Sequence, residues 1–94
     1  MKIYWVEDQP SIWPVKEEIE RSGLIPDLVA IIEKHNVKKT EANKKMEFPK
    51  GTNHTYRCAV ALPPEQDSNI HYVVYIEQLG LQSTDAIGYI YKES

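Results

Sequence analysis

The chain has 94 residues, of which 41% are hydrophobic and 27% charged, and its net charge at pH 7 is −3. These values indicate one globular domain over residues 1–94 and exclude disordered, collagen-like and disulfide-rich chains. Cys58 is the only cysteine, so no internal disulfide can form and a cytoplasmic location is expected. Apolar runs such as Leu28 to Ile32 are far shorter than the ~20 residues that cross a bilayer, so we expect no membrane segment.

The N-terminal segment predicts a strand followed by a helix. Lys2 to Glu7 alternates with apolar side chains on both faces, a pattern typical of a strand in the interior of a sheet. Ser11 suits the cap of a helix that we expect to run to about Arg21, with apolar positions three and four apart. Gly23 can end this helix in a left-handed conformation.

A second, more apolar helix is predicted after Pro26, which suits a first turn, and Asn36 is expected to end it. Residues 37–53 follow, with many lysines and few large apolar side chains. Two interpretations remain for this stretch, a long mobile connection or a poorly paired edge strand.

Three more strands are predicted, over Thr55 to Leu62, Ile70 to Ile76 and Ala86 to Lys92. In the first two, alternate residues are apolar and define the expected core face. These residues are Tyr56, Cys58, Val60, Leu62, Ile70, Tyr72, Val74 and Ile76. The last strand has Ile87, Tyr89 and Tyr91 on one side and Gly88 and Ile90 on the other.

The order β-α-α-β-β-β groups the helices and groups the strands. This grouping predicts an α+β fold with two helices packed on one face of a mainly antiparallel four-stranded sheet. The N-terminal strand is expected in the interior of that sheet.

The segment Lys2 to Leu24 resembles the opening of bacterial response-regulator receiver domains. In that family the first strand ends in an acidic pair that helps to hold magnesium, and Glu7 and Asp8 stand in that place. The family also has a phosphoacceptor aspartate at the end of a later strand, whereas no aspartate lies between Asp27 and Asp67. The second half of the chain lacks the alternation of a doubly wound parallel sheet, so we attribute the likeness to a locally similar strand, acidic turn and helix.

The sequence contains no recognisable catalytic or metal-binding motif. Glu7 and Asp8 offer oxygen ligands for a hard cation, but adjacent strand residues point to opposite faces, and a solvated strand end is the simpler interpretation. His54 and Cys58 lack the paired spacing of zinc ligands. Cys58 also alternates with core residues, where cysteine is an inert small hydrophobe. We therefore expect no catalytic residue, no metal and no cofactor.

The sheet face opposite the core is the predicted binding surface, because it carries aromatic and cationic side chains. Its candidate interface residues are Arg57, His71, Val73, Tyr75 and Ile90, beside Glu77 and, if the last strand shifts register, Tyr89 and Tyr91. Three interpretations remain open: ordinary packing, an apolar patch that closes a homodimer, and a site for a planar ligand or nucleic acid.

Residues 34–57 form a basic region with seven bases and two acids. Besides Lys34, its lysines are Lys38, Lys39, Lys44, Lys45 and Lys50. A solvated connection is the simpler interpretation, and an arm that contacts phosphate is the functional one. Because specific readout of phosphate and bases uses arginine forks and Arg57 is the only arginine here, nucleic acid is the less favoured partner.

The sequence therefore predicts a non-catalytic binding or interaction protein whose partner is a second copy, in a homodimer, or another protein. Contact is expected through the outer sheet face, or through the edge of the final strand. A small ligand is one alternative, and a small hydrolase or nuclease without a motif is another. The residues open to such an enzyme are Glu7, Asp8, His54, His71 and Tyr75.

Overall fold

The computed structural model describes residues 1–8, 13–47, 53–65, 68–80 and 84–93. Its elements are β1 (Tyr4–Asp8), α1 (Trp13–Arg21), α2 (Leu24–His35), β2 (Lys39–Glu47), β3 (Asn53–Ala61), β4 (Ile70–Gln78) and β5 (Thr84–Tyr91). The strands form one antiparallel sheet in the order β1-β5-β4-β3-β2. The predicted α+β class is confirmed, with five strands instead of four, and the sheet differs from the parallel sheet of receiver domains.

Both helices bury one apolar side against the sheet. The buried residues of α2 are Ile25, Leu28, Val29 and Ile32, and this three-and-four spacing places them on one side of the helix. Gly23 (φ 76°) separates the helices and Asn36 (φ 52°) ends α2, both in the left-handed conformation, as predicted. Helix α2 begins at Leu24, earlier than predicted, where the Leu24 amide donates to Ser22 Oγ at 3.2 Å.

The core lies between the helices and one face of the sheet. Helix α1 contributes Val15 and Ile19. The sheet contributes Met46, Tyr56, Cys58, Val60, Tyr72, Val74, Ile76, Ala86 and Ile90. The predicted core face is therefore correct for most of β3 and β4, but Leu62 is exposed because β3 ends at Ala61.

Strand β2 supplies the fifth strand of the sheet. It pairs with β3 without interruption from Lys39 opposite Ala61 to Glu47 opposite Asn53. Of the two interpretations of residues 37–53, the edge strand is therefore correct for 39–47, and its pairing is continuous. Residues 48–52, which include Lys50, lie outside the described residues.

The prediction that the first strand is interior is wrong. Strand β1 pairs only with β5 and forms one edge of the sheet. Its register shifts between Trp5 and Glu7, and the intervening Val6 is 56% exposed, as Tyr4 is at 46%. The strand is therefore buried on one face only. Of Tyr4, Trp5 and Val6, only Trp5 packs against the core cluster.

Strand β5 is interior rather than an edge, lying between β1 and β4. Its core side carries the smaller residues, including Gly88, which is paired with Trp5. A methyl group on Gly88 would lie 2.5 Å from Ile3 Cγ2 and 2.8 Å from Trp5 Cε3. The side chains of Ile3 and Trp5 thus occupy the space that a larger residue at position 88 would need. The larger residues Ile87, Tyr89 and Tyr91 lie on the opposite face.

Candidate functional site

The face of the sheet that points away from the helices, here called the outer face, brings together residues from all five strands. Across β3 and β4, Arg57 is opposite Glu77, and across β4 and β5, Val73 is opposite Tyr89. Tyr4 of β1 is also paired with Tyr89. The outer face therefore has a charged part, on β2, β3 and the end of β4 with Glu77, and an apolar, aromatic part on the rest of β4, β5 and β1.

The charged part is a network of ion pairs, here called the charged patch, formed by Lys39, Glu41, Arg57 and Glu77. Lys39 Nζ lies 3.2 Å from Glu41 Oε1, Arg57 Nε lies 4.0 Å from Glu41 Oε2, and Arg57 Nη1 lies 3.4 Å from Glu77 Oε1. These side chains are between 36% and 51% exposed, so each pair is worth little in stability. Arg57 is nevertheless held between two carboxylates.

The apolar part contains a cleft of about 230 Å³, here called the outer cleft. It lies between the segment that follows β3 and the outer side chains of β4 and β5. Its lining residues are Pro63, Pro64, Glu65, Ser68, Ile70, Val73, Tyr75, Ile87 and Tyr89. Ser68 Oγ accepts a hydrogen bond of 2.9 Å from the Ile70 amide, which fixes the chain where it enters β4. Val73 is only 4% exposed, so neighbouring groups already cover it.

Beside the outer cleft, Tyr4 and Tyr91 project from the edge of the same face. The rings of Tyr4 and Tyr91 are 5.2 Å apart at 73°, and the rings of Tyr89 and Tyr91 are 6.4 Å apart at 80°. Such edge-to-face contacts are favourable for aromatic rings and restrict their movement. Tyr91 is 44% exposed even so, and Lys2 Nζ lies 4.9 Å from the Tyr4 ring centre.

The candidate interface residues do not all lie where the sequence placed them. Arg57, Val73 and Tyr75 are on the outer face, whereas Ile90 belongs to the core cluster and is 6% exposed. The placement of Ile90 was wrong because the core side of β5 is the side with Ala86 and Gly88.

His71 is not on the predicted outer face either, because a register shift between Ile70 and Tyr72 interrupts the alternation of side chains along β4. Ile70 lines the outer cleft instead of the core, and the His71 ring stacks on that of Tyr72, 4.2 Å away at 28°. Tyr72 faces the helices and donates a 2.6 Å hydrogen bond to Glu33 Oε1 of α2. Burial, and then this contact with Glu33, raises the pKa of Tyr72 to about 12.

Several residues of the outer face were not predicted as interface residues from the sequence. The sequence places Tyr89 and Tyr91 there only if the last strand shifts register, and it places Ile70 on the core face. It assigns no interface role to Ile87, Pro63 or Pro64, which line the outer cleft. A signal for β5 was present in Gly88, because a glycine in a strand often marks the close approach of another group.

The lysines of the basic region are divided by the alternation of β2. Lys39 and Lys45 lie on the outer side with Glu41, whereas Lys44 is opposite the buried Tyr56 and faces the helix side. Lys38 precedes the strand. No single surface therefore collects these charges within the described part of the chain.

The residues weighed for catalysis are separated as well. Cys58 is fully buried, and burial raises its pKa to about 12, so the thiol stays protonated at neutral pH. Tyr75 is on the outer face, away from the His71 ring that stacks on Tyr72. The side chains of Glu7, Asp8 and His54 lie outside the described residues. Among those that are described, no group of three or more His, Cys, Asp or Glu residues is placed to hold a metal.

Comparisons with protein-family models, with curated proteins and with solved structures give no match to this chain. Of the helices in the described ranges, neither has the length and apolar character required to cross a bilayer.

Proposed function

We propose that this chain is a small non-catalytic interaction protein and that its outer face binds a protein partner. The outer cleft is the observation that carries this proposal. Its volume of about 230 Å³ is below the ~300–1,000 Å³ of pockets for drug-sized ligands and cofactors, yet it can accept a single large side chain. Protein interfaces place such anchor side chains in pockets close to the centre of the contact.

The composition of the surrounding surface supports a protein partner. Interfaces are enriched in tyrosine and arginine, with an apolar centre and a polar rim. The outer face has this arrangement, since Tyr75 and Tyr89 line the outer cleft and the charged patch lies beside it. The two helices cover the other face of the sheet, so the outer face is the side that remains for a partner.

The nucleic-acid alternative has less support. Arg57, the arginine that would bind a phosphate or a base, is paired with Glu41 and Glu77. Binding of an anion would have to compete with both carboxylates for the guanidinium group. The division of the β2 lysines between two sides of the strand further weakens a continuous basic track.

We propose a cytoplasmic location, which is supported by Cys58, the only cysteine, being buried as a free thiol. A free thiol of this kind is typical of a reducing compartment.

Photo-crosslinking in the host cell tests the proposed function. A photoreactive amino acid replaces Tyr89 in the outer cleft, and a matched variant carries it in place of Ile31, which is 43% exposed on α2. A protein adduct is expected from position 89 and not from position 31, with mass spectrometry to identify the attached chain. Absence of any protein adduct at position 89, or equal adducts at both positions, would contradict a docking role for the outer face.

A further inference from the structure

We propose that the partner on the outer face is a second copy of this chain. The two copies pair about a twofold axis, and Tyr91 of each copy enters the outer cleft of the other. This inference rests on the proposed function, because it names the occupant of the same surface.

The first argument is that the outer face holds both a projecting group and a cavity. Tyr91 projects at one end of β5, fixed by ring contacts of 5.2 Å with Tyr4 and 6.4 Å with Tyr89. The outer cleft is next to it, since Ile70, the residue paired with Tyr91, lines that cleft. A twofold axis between Tyr91 and the outer cleft places Tyr91 of each copy in the cleft of the other. The two contacts therefore form together, and a single surface of the chain is enough for the pairing. The fixed ring also loses little side-chain entropy on binding.

The second argument is electrostatic. The chain as a whole carries a net charge of −3, which opposes association of two copies. The charged patch, however, contains two bases, Lys39 and Arg57, and two acids, Glu41 and Glu77, and so has no net charge. The charged patch therefore adds no net repulsion to the approach of the two outer faces.

The third argument is the area available. Five strands spaced ~4.8 Å apart and up to about nine residues long, at ~3.4 Å per residue, give a face of roughly 20 by 30 Å. Two copies would bury roughly 1,200 Å² in total, at the lower limit of specific interfaces. We therefore expect a reversible dimer with a dissociation constant in the micromolar range.

Sedimentation velocity across a concentration series tests this pairing with three variants. Tyr91→Ser removes the projecting ring at an exposed position. Tyr75→Glu blocks the outer cleft with a charge, and Lys39, whose Nζ lies 5.7 Å from the Tyr75 ring centre, keeps a partner for that charge within the same chain. Ile31→Glu on α2 is the control, and circular dichroism confirms that each variant is folded.

The unmodified protein and Ile31→Glu are expected to dimerise equally. Tyr91→Ser and Tyr75→Glu each remove both anchor contacts of the symmetric pair. At about 30-fold for each buried aromatic anchor, the association constant should fall about 1,000-fold.

An equimolar mixture of Tyr91→Ser and Tyr75→Glu gives the sharper test. One anchor contact survives in the mixed pair, because the intact Tyr91 of one copy meets the intact cleft of the other. The mixture should therefore associate about 30-fold more tightly than either variant alone. Mixing that gives no gain in association would overturn the proposed geometry, as would full dimerisation of both single variants.

A monomeric unmodified protein at millimolar concentration would overturn self-pairing altogether. The crosslinking experiment then separates the two proposals. An adduct at position 89 with a different protein leaves the outer face as a docking surface, whereas no adduct removes the proposed function as well.

Discussion

Replacement of Gly88 by alanine is the most direct test of how β1 lies across β5. The added methyl group would come within 2.5 Å of Ile3 Cγ2 and 2.8 Å of Trp5 Cε3. Neither distance is tolerated between carbon atoms, so β1 has to shift. Overpacking of this kind costs about 1–3 kcal/mol, and the lower entropy of the unfolded alanine chain offsets about 0.5–1 kcal/mol. We expect Gly88→Ala to lower the free energy of unfolding by about 1–2 kcal/mol.

Urea unfolding followed by circular dichroism measures this loss. For a domain of this size, each 1 kcal/mol also lowers Tm by ~4–8 °C. Ile3→Ala removes the nearest contacting methyl group, so Gly88→Ala should cost less in that background. A double-mutant cycle is expected to give a coupling of at least ~0.5 kcal/mol.

A Gly88→Ala protein with unchanged stability, or a coupling of zero with Ile3→Ala, would refute this reasoning. In that case β1 would not cross the core side of β5 at Gly88. The placement of Tyr89 and Tyr91 on the outer face, on which the candidate site depends, would then be wrong too.

Two further predictions concern buried titratable groups. Tyr72 should ionise near pH 12 in a spectrophotometric titration. Because its folded-state pKa lies above the unfolded value of about 10, its contribution to stability is complete below pH 10 and is lost as the pH rises towards 12. The Tyr72→Phe protein should not lose this contribution to the free energy of unfolding between pH 10 and pH 12. The same pH dependence of unfolding in both proteins would contradict a raised pKa for Tyr72. Cys58, with a pKa raised to about 12 by burial, should react with a thiol reagent orders of magnitude more slowly in the native than in the urea-unfolded protein. Equal rates would show that the thiol is accessible in the folded state.

The two helices could be predicted from the sequence because their signals are local. Ile25, Leu28 and Ile32 recur at three and four residues on one side of α2, and Gly23 and Asn36 can adopt the left-handed conformation that ends a helix. The core face of β3 was also predictable, since the large apolar side chains Tyr56, Cys58 and Val60 alternate with Arg57 and two alanines. In each case a residue and its neighbours along the chain carry the necessary information.

The position of β5 could not be predicted in the same way, because it depends on a residue more than eighty positions earlier. Ile87 and Tyr89 look like core residues beside Gly88, and the larger side chains would ordinarily be buried. The ring of Trp5 fills the space over Gly88, and this contact is invisible without the pairing of β1 with β5. No local sequence feature predicts the register shift at His71 either, since a bulge depends on how two strands align.

The order of the strands has a consequence for how the chain assembles. Strands β2, β3 and β4 each pair with the strand that follows them in the chain, so these contacts close short loops, whereas β1 pairs with β5, the last strand to be made. Because the entropic cost of loop closure grows with the separation of the paired segments, β1 is expected to join the sheet late. During synthesis Ile3 and Trp5 therefore stay without their packing partner Gly88 until β5 has been made.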